Sequence, residues 1–232
     1  MKIALLMSDA AGYPVRADIL ARTMAAAGVH FRRISPRDKL QPGAWPVDLP
    51  DEWLPADDRP RAEKEWGRNH LHYLAAIRTY GIKADYYWCV EGDVAASPLT
   101  WLRMLETTAD MTEDGLWTRL YTSALYPSHP AFVVNPKWVS ATCLGAICRV
   151  SAAGMAVWEE TAVETREMFT EHAAPSVLVR AGLKIGKINR PGHPSLYHCG
   201  TMKFNPQHAT VTPPIFHPRM FRHPVKVDDS PA

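Results

Sequence analysis

The sequence lacks the features that mark several large classes of protein. Its 26 lysines and arginines nearly balance its 24 aspartates and glutamates, and the formal net charge of +2 is too small to indicate a nucleic-acid partner. The apolar run from Ile3 to Met7 is too short for a signal-peptide core or a membrane span. The four cysteines include no Cys-x-x-Cys pair, so reduced, buried thiols are expected. We therefore expect a cytoplasmic protein with no nucleic-acid partner and no transmembrane segment, peripheral to a membrane only through a partner.

The commonest nucleotide-binding motifs are also missing. No Gly-x-Gly-x-x-Gly follows the first apolar segment, and no Gly-Lys-Ser/Thr occurs anywhere in the chain. The usual dinucleotide and nucleoside-triphosphate sites are therefore not supported. A sugar-phosphate nucleotidyltransferase would want a glycine- and lysine-rich loop at the same point, and residues 8–14 contain no lysine.

Proline is plentiful and unevenly spread. Six of the 20 prolines lie between Pro36 and Pro60, and eight lie between Pro191 and Pro231. Because proline removes a backbone donor and disfavours helix in the residue before it, both segments are expected to be largely irregular. Trp45 and Trp53 in the first segment are candidates to stack on a base or sugar ring. The second segment is expected to form a lid, since long ordered loops in compact domains are usually functional.

The rest of the chain alternates between strand and helix patterns. Predicted strands cover 2–7, 29–34, 85–90, 116–121, 143–150 and 183–188, and predicted helices cover 15–27, 62–80, 98–107, 151–168 and 175–181. This alternation indicates an α/β layer fold with a mainly parallel central sheet. A length of 232 residues suits a single domain with a full core.

The most informative segment is Asp85–Val94, in which an apolar, aromatic run leads directly into Glu91-Gly92-Asp93. In open α/β sheets, ligands bind at the carboxyl ends of the strands. Two carboxylates on one short loop there suit a hard divalent cation, Mg²⁺ or Mn²⁺, which can in turn hold a diphosphate. The alternative is a solvated turn that merely ends a strand.

Four segments together resemble the GT-A-fold glycosyltransferases. They are Gly67-Arg68-Asn69 before the strand that ends in Glu91-Gly92-Asp93, the strand Cys143–Ser151, the stretch Glu171–Ile185, and Phe221-Arg222-His223-Pro224-Val225-Lys226, which is similar to a C-terminal motif of little-characterised bacterial relatives. The likeness covers roughly residues 1 to 226 and lies in the order and spacing of these segments. Glu91 departs from the first aspartate of the family's Asp-x-Asp motif.

The resemblance implies one Rossmann-like three-layer domain over residues 1–232. Residues 1–97 would form the nucleotide-sugar-binding half, 98–190 the acceptor half and 191–232 a C-terminal lid. The implied activity is transfer of a sugar from a nucleotide-sugar donor to a hydroxyl of a glycan, lipid-linked or small-molecule acceptor. A non-catalytic binding or scaffold protein of the same fold and a sugar-phosphate nucleotidyltransferase remain alternatives.

The resemblance also assigns roles around the metal and the diphosphate. Asp93 would coordinate a divalent metal or orient the donor sugar, and Glu91 would bind the metal, the ribose, or both. His223 would complete the metal-diphosphate site from the C-terminal segment, and Lys226 would neutralise a phosphate.

Three further residues are candidates near the donor and the acceptor. Arg68 lies where a helix N-terminus and its own guanidinium would hold a phosphate, although a surface arginine is the competing interpretation. Asn69 would contact a sugar hydroxyl or cap the helix. Glu171 is the candidate general base that takes the acceptor proton, or a first-turn carboxylate that is favourable because of the helix dipole alone.

Overall fold

The computed structural model describes residues 1–9, 14–65, 67–94, 96–121 and 139–188, together with the backbone of residues 197–198 and 221–222. The predicted lid, 191–232, therefore lies almost entirely outside the described residues, and His223 and Lys226 lie outside them as well.

The described residues fold around a seven-stranded sheet. Its strands are β1 (Ile3–Ser8), β2 (His30–Pro36), β3 (Trp45–Val47), β4 (Tyr86–Glu91), β5 (Gly115–Tyr121), β6 (Thr142–Ser151) and β7 (Ile185–Lys187), in the order β3-β2-β1-β4-β6-β5-β7. Strand β6 runs antiparallel to both of its neighbours, and the other strand pairs are parallel. A separate pair, β8 (Tyr197–His198) and β9 (Phe221–Arg222), is parallel.

Six helices of the described chain cover the sheet. They are α1 (Pro14–Ala26), α2 (Arg61–Glu65), α3 (Asn69–Tyr80), α4 (Pro98–Thr107), α5 (Ala152–Glu160) and α6 (Thr170–Arg180). Helices α1 and α4 contact each other, and α3, α5 and α6 form a second group of mutually contacting helices. The predicted α/β class with a mainly parallel sheet is confirmed.

The side-chain alternation of the central strands explains the two helical layers. In β4, Tyr87 and Cys89 join the core under α3, whereas Trp88 and Val90 join the core under α1 and α4. Successive strand residues point to opposite faces, so an almost uniformly apolar strand must be covered on both sides. The apolar run from Tyr86 to Val90 is therefore a central strand.

Two predicted helices are interrupted in the structure. The helix predicted over 62–80 is divided because Gly67 has a φ of 76°, a left-handed conformation that ends a helix. The helix predicted over 151–168 ends at Glu160, and turns follow. There the hydroxyls of Thr161 and Thr165 donate to the carbonyls four residues earlier, at 2.7 and 2.8 Å, an alternative that weakens helices.

Helix α6 begins earlier than predicted, at Thr170. Pro175 lies inside it rather than at its start. Because proline has no backbone donor, α6 loses the bond from residue 175 to the carbonyl of residue 171.

The first proline-rich segment is less irregular than predicted. It contains β3 and two short 3-10 turns, Arg37–Lys39 and Asp51–Trp53. The Trp45 ring packs on Tyr80 with centroids 4.2 Å apart, and Trp53 is 3% exposed. Trp53 is therefore a core residue rather than a surface on which a ligand could stack. Trp45 is half-buried and packs against the same core beneath α3, and its stacking on a ligand stays a prediction.

Among the described residues, no helix is both long enough and apolar enough to cross a membrane.

Candidate functional site

The candidate site lies where β1 and β4 end side by side. Ser8 pairs with Glu91 at the last position of the two parallel strands, and the amide of Val94 donates to the Glu91 carbonyl at 3.1 Å. This turn places the half-buried side chains of Glu91 and Asp93 on either side of Gly92. Both carboxylates therefore lie at the carboxyl end of a strand, as the sequence predicted.

Glycine is required between the two carboxylates by the closeness of the neighbouring strand. A Cβ on Gly92 would lie 2.8 Å from the carbonyl oxygen of Ser8 and 3.1 Å from the Cα of Asp9. Both atoms belong to the backbone, so they cannot swing aside. The Glu-Gly-Asp sequence therefore combines two acidic side chains with the only residue that lets the strand ends meet.

Asn69, in the helical layer that contains α3, contacts Glu91 at the end of β4. Its Nδ2 donates to Glu91 Oε1 at 2.6 Å, and Asn69 is the first residue of α3. The helix dipole at this end also favours a neighbouring carboxylate. The structure thus brings together two residues that lie 22 positions apart in the chain and that the sequence named as site candidates. Their contacts with a ligand stay predictions.

Arg68 is anchored to the turns between α5 and α6. Its Nε donates to the carbonyl of Arg166 at 2.6 Å, and the residue is only 6% exposed. Burial, followed by the charge of Arg59, lowers the pKa of Arg68 from its usual value, although a guanidinium stays protonated in proteins. In this structure Arg68 secures the connection between α5 and α6, and its role as a phosphate ligand stays a prediction.

The N-termini of α3 and α6 are docked against each other. The amide of Thr170 donates to the Gly67 carbonyl at 2.7 Å, and the Thr170 hydroxyl lies 2.9 Å from Nδ1 of His70. Burial, followed by the charges of Arg68 and His72, lowers the pKa of His70 to about 3. His70 is therefore a neutral part of this joint at ordinary pH.

Glu171 projects from the first turn of α6 onto β6. The amide of Gly145 donates to Glu171 Oε1 at 3.4 Å, close to a register shift between β5 and β6 at Trp117 and Arg119. Such irregularities redirect backbone and side chains beside functional sites. Glu171 therefore touches the strand next to β4, while its role as a general base stays a prediction.

Two of the candidate carboxylates influence the pKa of the buried thiol of Cys143. Burial, followed by the charges of Glu171, Cys148 and Glu91, raises the pKa of the Cys143 thiol well above its usual value. The charges of both carboxylates thus contribute to keeping this thiol protonated.

The structure adds a buried ion pair that the sequence did not indicate. Asp9, which follows β1, is 0% exposed, and Nε of Arg33 donates to its Oδ2 at 2.7 Å. Arg33 also donates to the Pro42 carbonyl at 3.1 Å. The available signal was a carboxylate directly after a buried strand, the same signal that identified Glu91. This pair neutralises Asp9 within the strand-end cluster.

The oxygen atoms of the two strand-end carboxylates suit a magnesium or manganese ion. Glu91 and Asp93 offer hard oxygen ligands, and such ions are commonly held by one or two carboxylates together with phosphate oxygens of the substrate. Within the part of the chain that the structure describes, no group of three or more His, Cys, Asp or Glu side chains could hold a metal ion. Among these residues, the ligands that the protein would supply to a metal ion are therefore Glu91 and Asp93. His223, the third predicted ligand, lies outside the described residues.

Comparison with known proteins finds similar solved structures but no match in sequence. No protein-family model and no curated protein matches the chain. A glycosyltransferase involved in the glycosylation of the major capsid of PBCV-1 has a TM-score of 0.48 and 9% identity over 81% of this chain and 82% of that chain. The inositol-1-phosphate CTP transferase from T. maritima has a TM-score of 0.40 and 10% identity over 81% of this chain and 86% of that chain. At such low scores these likenesses carry no argument about activity.

Proposed function

We propose that the chain is a glycosyltransferase that moves a sugar from a nucleotide-sugar donor to an acceptor hydroxyl with the help of a divalent metal. The observation that carries the proposal is the acidic site itself: Glu91 and Asp93 at the end of β4, with Glu91 held by Asn69 and Glu171 reaching the neighbouring strand. Its position at the carboxyl edge of a mainly parallel sheet is where nucleotide ligands bind in such folds.

In this proposal the two strand-end carboxylates bind the donor. Glu91 and Asp93 would hold Mg²⁺ or Mn²⁺, which when bound neutralises the diphosphate and the charge that develops on the leaving group. Asn69 keeps Glu91 in place through its amide. The chain's contribution to this half of the reaction is to fix the positions of the two carboxylates before the donor arrives, so that less order has to be created on binding.

Glu171 would act on the acceptor. A carboxylate near the reacting carbon can take the proton of the acceptor hydroxyl as the new bond forms. Glu171 is half-buried, and the Gly145 amide donates to one of its oxygens. That hydrogen bond orients the carboxylate, which is the candidate proton acceptor. The acceptor could be a glycan, a lipid-linked sugar or a small molecule.

Nucleotide binding is the first test of the proposal. Thermal shift and calorimetry with UDP, GDP, CDP and ADP, each with and without Mn²⁺, should reveal at least one metal-dependent ligand. Asp93→Asn should abolish that binding with little loss of stability, because a half-buried loop carboxylate contributes little to the core. Asp85→Asn, at the opposite end of the same strand, is the matched control and should bind normally. Absence of binding by the wild-type protein would contradict the proposed function.

The role of Glu171 is tested separately from binding. Glu171→Gln keeps the size of the side chain but removes the proton acceptor, so donor binding should be retained. Transfer, or slow hydrolysis of the donor by water, should fall by about 10²- to 10⁴-fold. Full turnover in the folded variant would show that Glu171 is only a favourable first-turn carboxylate of α6.

A further inference from the structure

Tyr73 carries a buried hydroxyl that lacks a hydrogen-bond partner. The residue is 3% exposed, and its hydroxyl oxygen is sealed from solvent with no partner in the described structure. Buried tyrosine hydroxyls usually find a partner, because an unmatched donor loses its hydrogen bonds to water and gains nothing in return. A buried group of this kind needs an explanation, and a ligand-dependent partner is one.

Tyr73 belongs to the helix whose first residue contacts Glu91. Tyr73 is four residues after Asn69 on α3, so the two side chains share one face of the helix. Asn69 contacts Glu91, and Tyr73 lies one turn further along the same helix. Burial comes first among the causes that raise the pKa of Tyr73 well above its usual value, followed by Cys89, Glu91, Cys148 and Asp93. The phenol therefore keeps its proton and remains a hydrogen-bond donor.

We infer that Tyr73 is a positioning residue of this site, whose hydroxyl donates a hydrogen bond to a carboxylate oxygen of Glu91 or Asp93 when a ligand is held there. The inference rests on the proposed function and extends it to a residue one helical turn after Asn69. Partners of this kind fix the orientation of metal-binding carboxylates. Because the donor is unmatched in the ligand-free protein, its hydrogen bond contributes to binding rather than to folding.

A pair of tyrosine variants separates binding from folding. Tyr73→Phe removes only the unmatched hydroxyl. Tyr87→Phe removes a hydroxyl that is equally buried, at 5% exposure, but fully engaged: it accepts from the Ala84 amide and donates to the Ile82 carbonyl, each at 3.0 Å. Tyr87 belongs to β4 near its first residue, at the end of the strand away from Glu91. It is therefore the matched control.

The two variants should show opposite behaviour. Tyr73→Phe should melt at or above the temperature of the wild-type protein, and its affinity for Mn²⁺ with the nucleoside diphosphate should fall about 10-fold or more. Tyr87→Phe should melt at a lower temperature and bind normally. Melting is followed by calorimetric scanning without ligand, and binding is followed by titration with Mn²⁺ alone and with Mn²⁺ plus UDP, GDP, CDP or ADP.

The remaining outcomes are decisive as well. If the wild-type protein binds a diphosphate and Tyr73→Phe binds it equally well, the role of Tyr73 is wrong and the proposed function stands. If Tyr73→Phe melts as low as Tyr87→Phe with unchanged affinity, the hydroxyl is structural, and the inference is again wrong. If the wild-type protein binds none of the probes, the proposed function and the role of Tyr73 are both overturned.

Discussion

Replacing Gly92 by alanine tests the physical basis of the candidate site. The new Cβ would meet the Ser8 carbonyl oxygen at 2.8 Å, the Asp9 Cα at 3.1 Å and Asp9 Oδ1 at 3.3 Å. The φ of Gly92 is not among the positive values in this chain, so contact with β1 rather than backbone conformation makes the substitution unfavourable. To relieve the contact, the end of β1 or the turn after β4 has to move.

The magnitude follows from that contact. Forcing an extra methyl group into a packed region costs about 1–3 kcal/mol. A protein of this size loses about 2–4 °C in Tm per kcal/mol, so a cost near 2 kcal/mol corresponds to a fall of roughly 6 °C. Metal-dependent nucleotide binding should weaken in parallel, because the same turn carries Glu91 and Asp93.

Gly145→Ala provides the matched control for this experiment. A Cβ on Gly145 would have only ordinary contacts, at 3.6 Å from Thr170 Cγ2 and 3.7 Å from Glu171 Cγ. Its Tm should stay within about 2 °C of the wild-type value. Thermal unfolding of the three proteins in one buffer measures the difference. If Gly92→Ala keeps the stability and the nucleotide affinity of the wild-type protein, the close approach of the two strand ends does not require glycine at this position.

Two further predictions concern the joint between α3 and α6. Because the pKa of His70 falls to about 3 on folding, the unfolded chain takes up a proton below pH 6.5 that the folded protein refuses. The free energy of unfolding should therefore fall by about 2 kcal/mol between pH 7 and pH 5. Urea unfolding at the two pH values should show a smaller fall in His70→Asn. An equal fall in the variant would contradict the assignment of this pH dependence to His70. Gly67→Ala places a Cβ against the Phe169 ring at a residue whose φ is 76°, so it should lower the free energy of unfolding by more than about 1 kcal/mol. Gly43 has the same φ of 76° but open space around it. Gly43→Ala should therefore lower the free energy of unfolding by less.

The strands were largely predictable because their signal is local. An apolar run such as Tyr86 to Val90 can be buried only as a central strand covered on both sides. The end of that strand is equally visible, since Glu91-Gly92-Asp93 interrupts the apolar pattern. The partner of Glu91 was anticipated only through the family resemblance, which named Asn69 as part of the same site. No local pattern relates residues that lie 22 positions apart.

Helix limits were less predictable because distant residues decide them. The break at Gly67 is fixed by the Phe169 ring against it and by the contact of His70 with Thr170, 100 residues away. Trp45 and Trp53 lie in a proline-rich segment that resembles an exposed loop in sequence. Their rings are nevertheless packed against the core beneath α3, because large aromatic surfaces are covered wherever the fold provides a layer.

The sequence by itself determined the α/β class, the main strands and the carboxylates at the end of β4, because each follows from burial and periodicity over a few residues. Only the tertiary structure decided that β6 runs antiparallel between two parallel groups, that Arg33 neutralises Asp9, and that the hydroxyl of Tyr73 is buried without a hydrogen-bond partner among the described residues. These features depend on which distant segments come into contact, and hydrogen bonding and charge at a site are set by those contacts rather than by the order of residues along the chain.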